Sequence, residues 1–332
     1  MPIEPAHRLI TGNYPPPGRY DADIIILTMN RFAETLEAVA SAQAQSGGSF
    51  HIMVLDQGSA PHIQDGFAAA FAGLPHFGYV VSGANLGVGG GRNLLSSFGH
   101  GDVIVALDND ACFATNTVAA EAVAAFAAQP DLGALAFRIF GRDGASLDHL
   151  AWGYPLGLKP RAAERFDTTT FVGAGHAIRR LTWEQAGGYD PSLFFTWEEY
   201  DFCLAAIACG WVIRYDGALG VVHKVAAEAR LAWTAERLTL SIRNRLVIAR
   251  KWGISWLRLA PRIIGYLIKG WRNGCLLPTL HGVVAALRNK TMLPQRMPEP
   301  MRAYLYRNET RHRGALLHRL RAEVLRKINY DS

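Results

Sequence analysis

Cysteine and charge are both scarce in this sequence of 332 residues. Its 4 Cys form no CxxC pair, which excludes a disulfide scaffold and a zinc ribbon. Charged residues make up 19% of the chain and hydrophobic residues 50%, a balance that excludes intrinsic disorder and permits a sizeable core. The opening stretch MPIEPAHRLI contains no apolar signal core, so we expect the chain to stay in the cytoplasm.

The charge that is present is divided unevenly. The formal net charge is +6, but residues 241–332 hold 19 Lys or Arg against 4 Asp or Glu, whereas residues 1–240 hold 15 against 24. An acidic body with a basic C-terminal region predicts two units rather than one homogeneous domain. The basic region is expected to meet something anionic, such as a membrane surface or nucleic acid.

Short apolar runs alternate with segments of helical period through the first 130 residues. This alternation predicts βαβ units and an α/β fold with a mostly parallel sheet. Further on, a loop enters a helix over 194–210, two strands follow at 211–215 and 219–222, and the chain beyond 230 has a helical pattern. The early strands are expected at 24–27, 51–55, 79–81 and 103–107, and the helices at 30–45, 62–72 and 117–128.

Polar side chains follow each of these four early strands. Ligands of parallel α/β sheets collect at the carboxyl ends of the strands, so the sequence predicts a binding site along this edge. The residues concerned are Thr28, Asn30, Asp56, Asn85, Asp108 and Asp110.

Asp108, Asn109 and Asp110 leave the apolar strand VIVAL together. Two carboxylates one residue apart can reach one hard cation and the phosphate that it binds, and Mg²⁺ or Mn²⁺ prefers such oxygen ligands. The alternative is a helix cap or a turn with surface acids, which Asp and Asn commonly form.

A second acidic cluster lies in the segment WEEYD, which contains Trp197, Glu198, Glu199 and Asp201. Repulsion between neighbouring carboxylates raises a pKa toward that of a useful general base, and one of them could take a proton from a sugar or alcohol hydroxyl. The alternative is an acidic first helical turn that complements the helix dipole.

Two further motifs each allow two interpretations. The segment NLGVGGGRN offers Gly87 and Gly89 as the start of a dinucleotide fingerprint, but Arg92 stands where the third glycine belongs. We therefore expect a loop that lets the backbone approach a nucleotide, with a plain turn as the alternative. His223 ends the expected strand 219–222, either as a structural residue or as a third metal ligand.

The sequence resembles the inverting family-2 glycosyltransferases over roughly residues 20–250. The branch it most resembles contains the bacterial rhamnosyltransferase-like and galactofuranosyltransferase-like members. Because the motifs fall in one order and spacing, the resemblance is specific. They read DIIILTMNR, LDQGS, NLGVGGGRN, ALDND, FVGAGHAIRR, GGYDPSLFFTWEEYDFCLAAIACGW and VVHK.

The resemblance implies a GT-A fold, a UDP- or dTDP-sugar donor and a divalent metal, Mn²⁺ or Mg²⁺. It implies that Glu199 is the base, although the family usually has Asp there, so Glu198 stays a candidate. The implied metal ligands are Asp108, Asp110 and His223, and the implied acceptor contacts are Trp197, Gly175 and His176. The implied nucleotide-sugar contacts are Thr28, Asn30, Arg31, Asp56, Asn85, Gly89, Arg92, Asn93, Asp108 and Asn109.

On this reading residues 1–20 form an irregular lead-in and residues 21–240 the catalytic domain, with a nucleotide-sugar half (21–115) and an acceptor half (116–240). Residues 241–332 form basic amphipathic helices with no run of ~18 uncharged apolar residues, so no transmembrane span is expected there. Such helices suit the anionic inner face of the membrane and a glycan or lipid-linked acceptor. The alternative is a bundle that covers the acceptor site or forms a homodimer. Nucleic acid is not expected, because no recognition motif accompanies the charge.

Two rival functions remain at this level. A nucleotidyltransferase on a similar sheet would want a basic phosphate loop near the first strand, where only Arg31 is found. A non-catalytic protein that binds anionic surfaces would explain the basic region but would leave both acidic clusters without a purpose.

Overall fold

A sheet of ten strands forms the centre of the computed structural model, which describes residues 6–224, 233–289 and 295–314. The strand order is β1-β4-β3-β2-β5-β9-β7-β10-β6, with β8 paired to β10. Six strands (β2, β3, β4, β5, β7 and β10) share one direction. The strands are β1 (His7–Gly12), β2 (Ala22–Thr28), β3 (Phe50–Asp56), β4 (Phe77–Ser82), β5 (Val103–Asp108), β6 (Ala111–Phe113), β7 (Leu132–Phe140), β8 (Arg165–Asp167), β9 (Gly175–Arg179) and β10 (Val212–His223).

Helices cover both faces of this sheet, and the expected α/β class is confirmed. Neighbouring residues of β2 divide between two apolar clusters, with Ile24 and Ile26 in one and Ile25 in the other. This is the pattern of a strand buried on both faces. The helices are α1 (Phe32–Gln43), α2 (Pro61–Ala70), α3 (Gly87–Phe98), α4 (Val118–Ala128), α5 (Arg180–Ala186), α6 (Glu198–Ala208), α7 (Ala235–Lys251), α8 (Trp256–Arg272), α9 (Leu276–Arg288) and α10 (Glu299–Asn308).

The glycine-rich segment is a helix and not the expected loop. Helix α3 begins at Gly87, which has a φ of +71°. Residues with a side chain rarely adopt this backbone angle. A Cβ at Gly87 would lie 2.2 Å from the carbonyl oxygen of Phe194, and one at Gly91 would lie 2.9 Å from the Leu27 side chain. The glycines therefore let α3 pack closely against β2 and the loop before α6.

Two other expectations are corrected at the strands. The lead-in is not wholly irregular, because β1 pairs antiparallel with β4 at the edge of the sheet. The two strands expected at 211–215 and 219–222 are one strand, β10, which shifts register against β7 between Asp216 and Gly220. Both differences depend on pairing with distant strands, which local periodicity does not encode.

The C-terminal helices have an apolar cluster of their own and also join the body. Leu246 of α7, Leu259 of α8 and Val283 of α9 belong to this separate cluster, while Ile248 and Trp252 belong to a core cluster of the body. Helix α7 crosses the boundary expected at residue 240. None of the helices within the described ranges is both long and apolar enough to cross a membrane.

Candidate functional site

A cavity of about 330 Å³ lies at the carboxyl ends of β5 and β10. Five ionisable side chains line it: Asp108, Asp110, Glu198, Glu199 and His223. Asp108 ends β5, His223 ends β10, and Glu198 and Glu199 open α6. The two acidic clusters and the histidine that the sequence singled out therefore meet in one place.

Arg92 joins the two acidic clusters. Its guanidinium donates to Asp108 Oδ1 at 3.0 Å, to Glu199 Oε1 at 2.9 Å and to the carbonyl of Gly173 at 3.0 Å. Burial works to lower the pKa of Arg92, but the surrounding groups, Asp108 and Glu199 among them, raise it overall. Arg92 thus stays charged and holds the carboxylates of β5 and α6 together.

The two neighbouring glutamates have different surroundings. Glu198 is almost completely buried, and its Oε2 has no hydrogen-bond partner. Burial, and then the charge of Glu199, raises the pKa of Glu198 well above its usual value, so this carboxyl favours the neutral form. Glu199 has 16% of its side chain exposed and pairs with Arg92. Glu199 is therefore the better placed of the two to meet a ligand.

The loop before α6 has a strained backbone. Phe194, Thr196 and Trp197 have φ values of +60°, +68° and +70°, a region that costs about 1–3 kcal/mol for such residues and is often found at functional sites. Helix α7 supports this loop, because the buried amide of Asn244 donates to the carbonyls of Leu193, Phe195 and Thr196 at 2.8–2.9 Å.

His223 is oriented by an acid that sequence reasoning missed. Its Nδ1 lies 2.7 Å from Oδ2 of the buried Asp148. The antiparallel pairing of β10 with β6 places His223 opposite Ala111, and the Lys224 amide donates to the Asp110 carbonyl at 2.8 Å. A carboxylate on one imidazole nitrogen is the arrangement common around metal-binding histidines.

The carboxylate oxygens of Asp108 and Asp110 are of the type that a hard cation prefers. Among the residues that the structure describes, no three acidic, His or Cys side chains are arranged to hold a metal by themselves. Asp110 pairs with Arg31 at 3.0 Å, and Asp108 pairs with Arg92. One or two carboxylates completed by substrate phosphates and water are, however, the usual environment of Mg²⁺.

Several residues expected at the nucleotide lie around the ends of β2 and β4. Asn109 donates to the Thr28 hydroxyl at 3.2 Å, and Asn30 accepts from the Ala60 amide at 2.8 Å. Asn85 is exposed and caps the Gly87 amide at 2.9 Å. Thr28 is buried, and none of these four side chains lines the cavity of about 330 Å³. Arg31 is linked to the cavity through its ion pair with Asp110.

Three other expected nucleotide contacts are engaged inside the protein. Asp56 is fully buried and accepts from the Ser59 amide at 2.7 Å and the Tyr79 hydroxyl at 2.8 Å. The Asn93 amide exchanges two hydrogen bonds with the Tyr189 backbone, and Gly89 packs against Tyr189. The geometry gives no support to nucleotide contacts from Asp56, Gly89 or Asn93.

The residues expected to contact the acceptor do not lie in one place. Trp197 lines a larger cavity of about 670 Å³, which Glu199 lines as well. Gly175 and His176 are buried in β9, where His176 bonds to the Tyr189 hydroxyl at 2.9 Å and stacks on Phe171. The expectation for Gly175 and His176 is thus corrected, because neither residue reaches a surface that an acceptor could touch.

Gly173 was also missed, although it lies in the quoted motif FVGAGHAIRR. A Cβ at this position would lie 2.5 Å from Glu199 Oε1 and 3.1 Å from Arg92 Nη2. The glycine leaves room for the Arg92–Glu199 pair. Asp148 and Asn244 gave no local signal, since their partners are 75 and up to 51 residues away in sequence.

Two comparisons of sequence give matches to known proteins. Residues 23–185, just under half of the chain, match the sequence profile of Glycosyl transferase family 2. An uncharacterized protein of Haemophilus influenzae is 29% identical over 169 residues, which are 49% of this chain and 90% of that protein.

Solved glycosyltransferase structures share the fold. A mannosyltransferase from Pyrobaculum calidifontis, in complex with GDP-Man and Mn²⁺, superposes with a TM-score of 0.56 at 18% identity, over 89% of this chain and 81% of that one. A fragment of S. aureus TarS, in complex with UDP-GlcNAc, has a TM-score of 0.53 at 14% identity, over 92% and 88% of the two chains. The fold is therefore the GT-A fold of glycosyltransferases.

Proposed function

We propose that this protein is an inverting glycosyltransferase that uses a nucleotide-diphosphate sugar. The observation that carries the proposal is the cavity where Asp108, Asp110, Glu198, Glu199 and His223 converge at the strand ends of a GT-A fold. The match of residues 23–185 to Glycosyl transferase family 2 supports the same activity.

In the proposed reaction Glu199 acts as the general base. It accepts the proton of an acceptor hydroxyl, whose oxygen forms a bond to the anomeric carbon as the bond from that carbon to the diphosphate breaks. The nucleoside diphosphate leaves from the opposite face, so the anomeric configuration inverts. Glu199 is the preferred base because it is partly exposed and lines both cavities.

Asp108, Asp110 and His223 would hold the divalent metal, Mn²⁺ or Mg²⁺, together with the donor diphosphate. When bound, such an ion stabilises the negative charge that develops on the leaving diphosphate. Arg31 and Arg92 contact the same carboxylates, and they balance the negative charge of this cluster before the ion and the donor bind.

Donor and acceptor are proposed as classes. A UDP- or dTDP-sugar is the proposed donor, with rhamnosyl and galactofuranosyl transfer as the first reactions to test, and GDP-Man joins the panel because a structural neighbour binds it. The acceptor is a hydroxyl of a glycan or a lipid-linked glycan, as in the synthesis of a cell-surface polysaccharide or glycolipid.

Nucleotide binding and donor hydrolysis test this function. UDP, dTDP and GDP are added singly with Mn²⁺, and at least one should raise the melting temperature of the wild type, with the gain lost in EDTA and in Asp110→Ala. A panel of the corresponding nucleotide sugars should then release a nucleoside diphosphate. Release of pyrophosphate from a nucleoside triphosphate and a sugar phosphate would instead identify a nucleotidyltransferase. Full activity in EDTA would refute the proposed metal requirement.

We also propose that the C-terminal helices place the enzyme on an anionic membrane surface at the cytoplasmic face. Leu257, Ile264, Ile268 and Trp271 form one stripe along α8, opposite the buried Leu259. A second stripe on α9 consists of Leu277, Leu280, Val284 and Leu287. These eight side chains, here called the apolar stripes, are 37–85% exposed.

The charge of this region favours a membrane over a second copy of the chain. No Asp or Glu occurs between Glu236 and Glu299, whereas 12 Lys or Arg do. Helices with apolar residues on one side and basic residues beside them lie in the membrane interface. Each basic residue near an anionic surface adds about 1 kcal/mol, whereas two such basic regions would repel each other in a homodimer.

A further inference from the structure

The larger cavity lies where the body meets the C-terminal helices, and it adjoins the reacting centre. Its volume is about 670 Å³. Glu199 and Tyr200 of α6 line it. The other lining residues named here are Arg245 of α7, Trp252 just after α7, and Arg262 of α8. Because Glu199 also lines the smaller cavity, a molecule in the larger one can present a hydroxyl to the proposed base.

The charged lining of this cavity is predominantly cationic. Arg245, Arg262 and Arg313 line it, against the two carboxylates Glu199 and Glu309. Glu199 pairs with Arg92 from the other cavity, and Glu309 pairs with Arg313. The pKa of the Tyr200 hydroxyl is raised by burial and by Glu309, and it is lowered by the three arginines. The four charged side chains therefore surround this hydroxyl.

Two buried aromatic residues contribute to the wall. Tyr154 and Trp252 are both 6% exposed, and both line the cavity. The Tyr154 hydroxyl and the Trp252 indole N–H are almost wholly inaccessible, so a ligand would meet the rings of these residues rather than their polar atoms.

We infer that the larger cavity binds an acceptor that carries a phosphoryl group beside its sugar or lipid part. Arginine suits this chemistry because its planar donors match phosphate oxygens. The aromatic rings of Trp197, over which Arg245 stacks at 4.9 Å, and of Trp252 give the cavity apolar walls. This inference rests on the proposed glycosyltransferase function for the role of Glu199 as the base, but binding to the cavity can be tested separately.

The test measures calorimetric binding of four probes to the full chain: decyl phosphate and glucose 6-phosphate, with decyl glucoside and glucose as neutral counterparts. At least one phosphate should bind more tightly than its neutral counterpart. Decyl phosphate alone indicates a lipid-linked source, and glucose 6-phosphate alone a soluble one. Binding of neither phosphate, or equal binding of the neutral probes, overturns the inference.

Two variants place the binding in the cavity. Arg262→Gln should weaken the phosphate by about 10- to 100-fold, the usual effect of losing a charged hydrogen bond. Arg258→Gln is the matched control, because Arg258 lies one turn earlier on the same helix, is exposed and does not line the cavity. Equal affinities in these two variants would refute the site.

The nucleotide titrations are a separate readout. If a nucleotide binds but neither phosphate probe does, this inference alone is refuted. If a phosphate probe binds but no nucleotide does, only the proposed function is refuted.

Discussion

Arg92 is the residue on which the arrangement of the acidic site depends. Its side chain is only 3% exposed and forms ion pairs with Asp108 and Glu199. A buried cation that loses its partners is strongly destabilising, so the carboxylates and Arg92 keep one another in place.

Glu199→Gln should keep the fold and nucleotide binding but lower turnover by ~10²–10⁴-fold, the usual contribution of general base catalysis. The glutamine oxygen can still accept from Arg92, so the loss reports on proton transfer rather than on the ion pair. Steady-state kinetics with the active nucleotide sugar measures it. If Glu198→Gln is inactive and Glu199→Gln is not, the base is Glu198.

Gly173→Ala should lower turnover by roughly 10²-fold, because small misplacements of reacting groups have effects of this size. The new Cβ would displace Glu199 Oε1, which lies 2.5 Å from its position. The end of a flexible side chain moves easily, so the melting temperature should change little. Gly265→Ala, which meets no atom within 4 Å, is the control, and equal turnover in both variants would contradict the prediction.

Glu198→Gln should make the fold less sensitive to pH. Burial and Glu199 raise the pKa of Glu198, so the folded state holds this proton above the pH at which the unfolded state releases it. Stability is then lost as pH rises from the unfolded pKa through the folded one. The variant should therefore melt at least about 2 °C higher than wild type at pH 8.

The difference in melting temperature should disappear near pH 4, where Glu198 is protonated in both states. Scans of both proteins at the two pH values decide the matter. A constant difference at both values would mean that Glu198 does not titrate between them.

At the scale of elements, α7 supports the loop before α6 and is not an appendage. Asn244 holds three carbonyls of the strained segment 193–196, Lys251 pairs with the buried Asp201 at 2.7 Å, and Trp197 donates to the Ser241 hydroxyl at 3.1 Å. The first C-terminal helix therefore positions the start of α6, where Glu198 and Glu199 lie.

Asn244→Ala should lower both stability and turnover. The two N–H groups of the Asn244 amide serve three carbonyls, and two hydrogen bonds at about 0.5–1.5 kcal/mol each give roughly 1–3 kcal/mol, which chemical denaturation can measure. Asn244→Asp has the same shape but lacks the amide donor, and it should be equally harmful. The exposed Asn116→Ala serves as the control. An Asp variant that behaves like wild type would show that these bonds are unimportant.

At the scale of the whole molecule, the chain has the proposed active site at one edge of its sheet and two exposed apolar stripes on its C-terminal helices. Sedimentation with liposomes should show binding to anionic vesicles at low salt, weakened at high salt because salt screens charge. Ile264→Glu combined with Trp271→Glu should reduce the binding at least tenfold, since burial of each side chain contributes about 1.5–3 kcal/mol.

Leu181→Glu is the matched control for the stripes, since Leu181 is 48% exposed but lies on α5. Equal binding to neutral and anionic vesicles, or binding to neither, would refute the membrane proposal. Analytical ultracentrifugation of the same variants then shows whether the stripes instead join two copies of the chain.

Much of the fold could be predicted from the sequence because the relevant patterns are local. The run Ile24–Leu27 predicts a buried strand by its composition alone, and the helical period of 117–128 predicts α4. Strand ends of parallel α/β sheets gather at one edge, so the position of Asp108 and Asp110 at that edge followed from the strand assignments.

The tertiary structure decided which of the candidate side chains from the sequence face a cavity. His176 and Asp56 carry functional groups but are fully buried, because strand register turns a side chain toward the core or toward the site. It also decided that Asp148 orients His223 and that Asn244 supports the loop before α6. These pairs depend on packing between elements far apart in the chain, which no local pattern records.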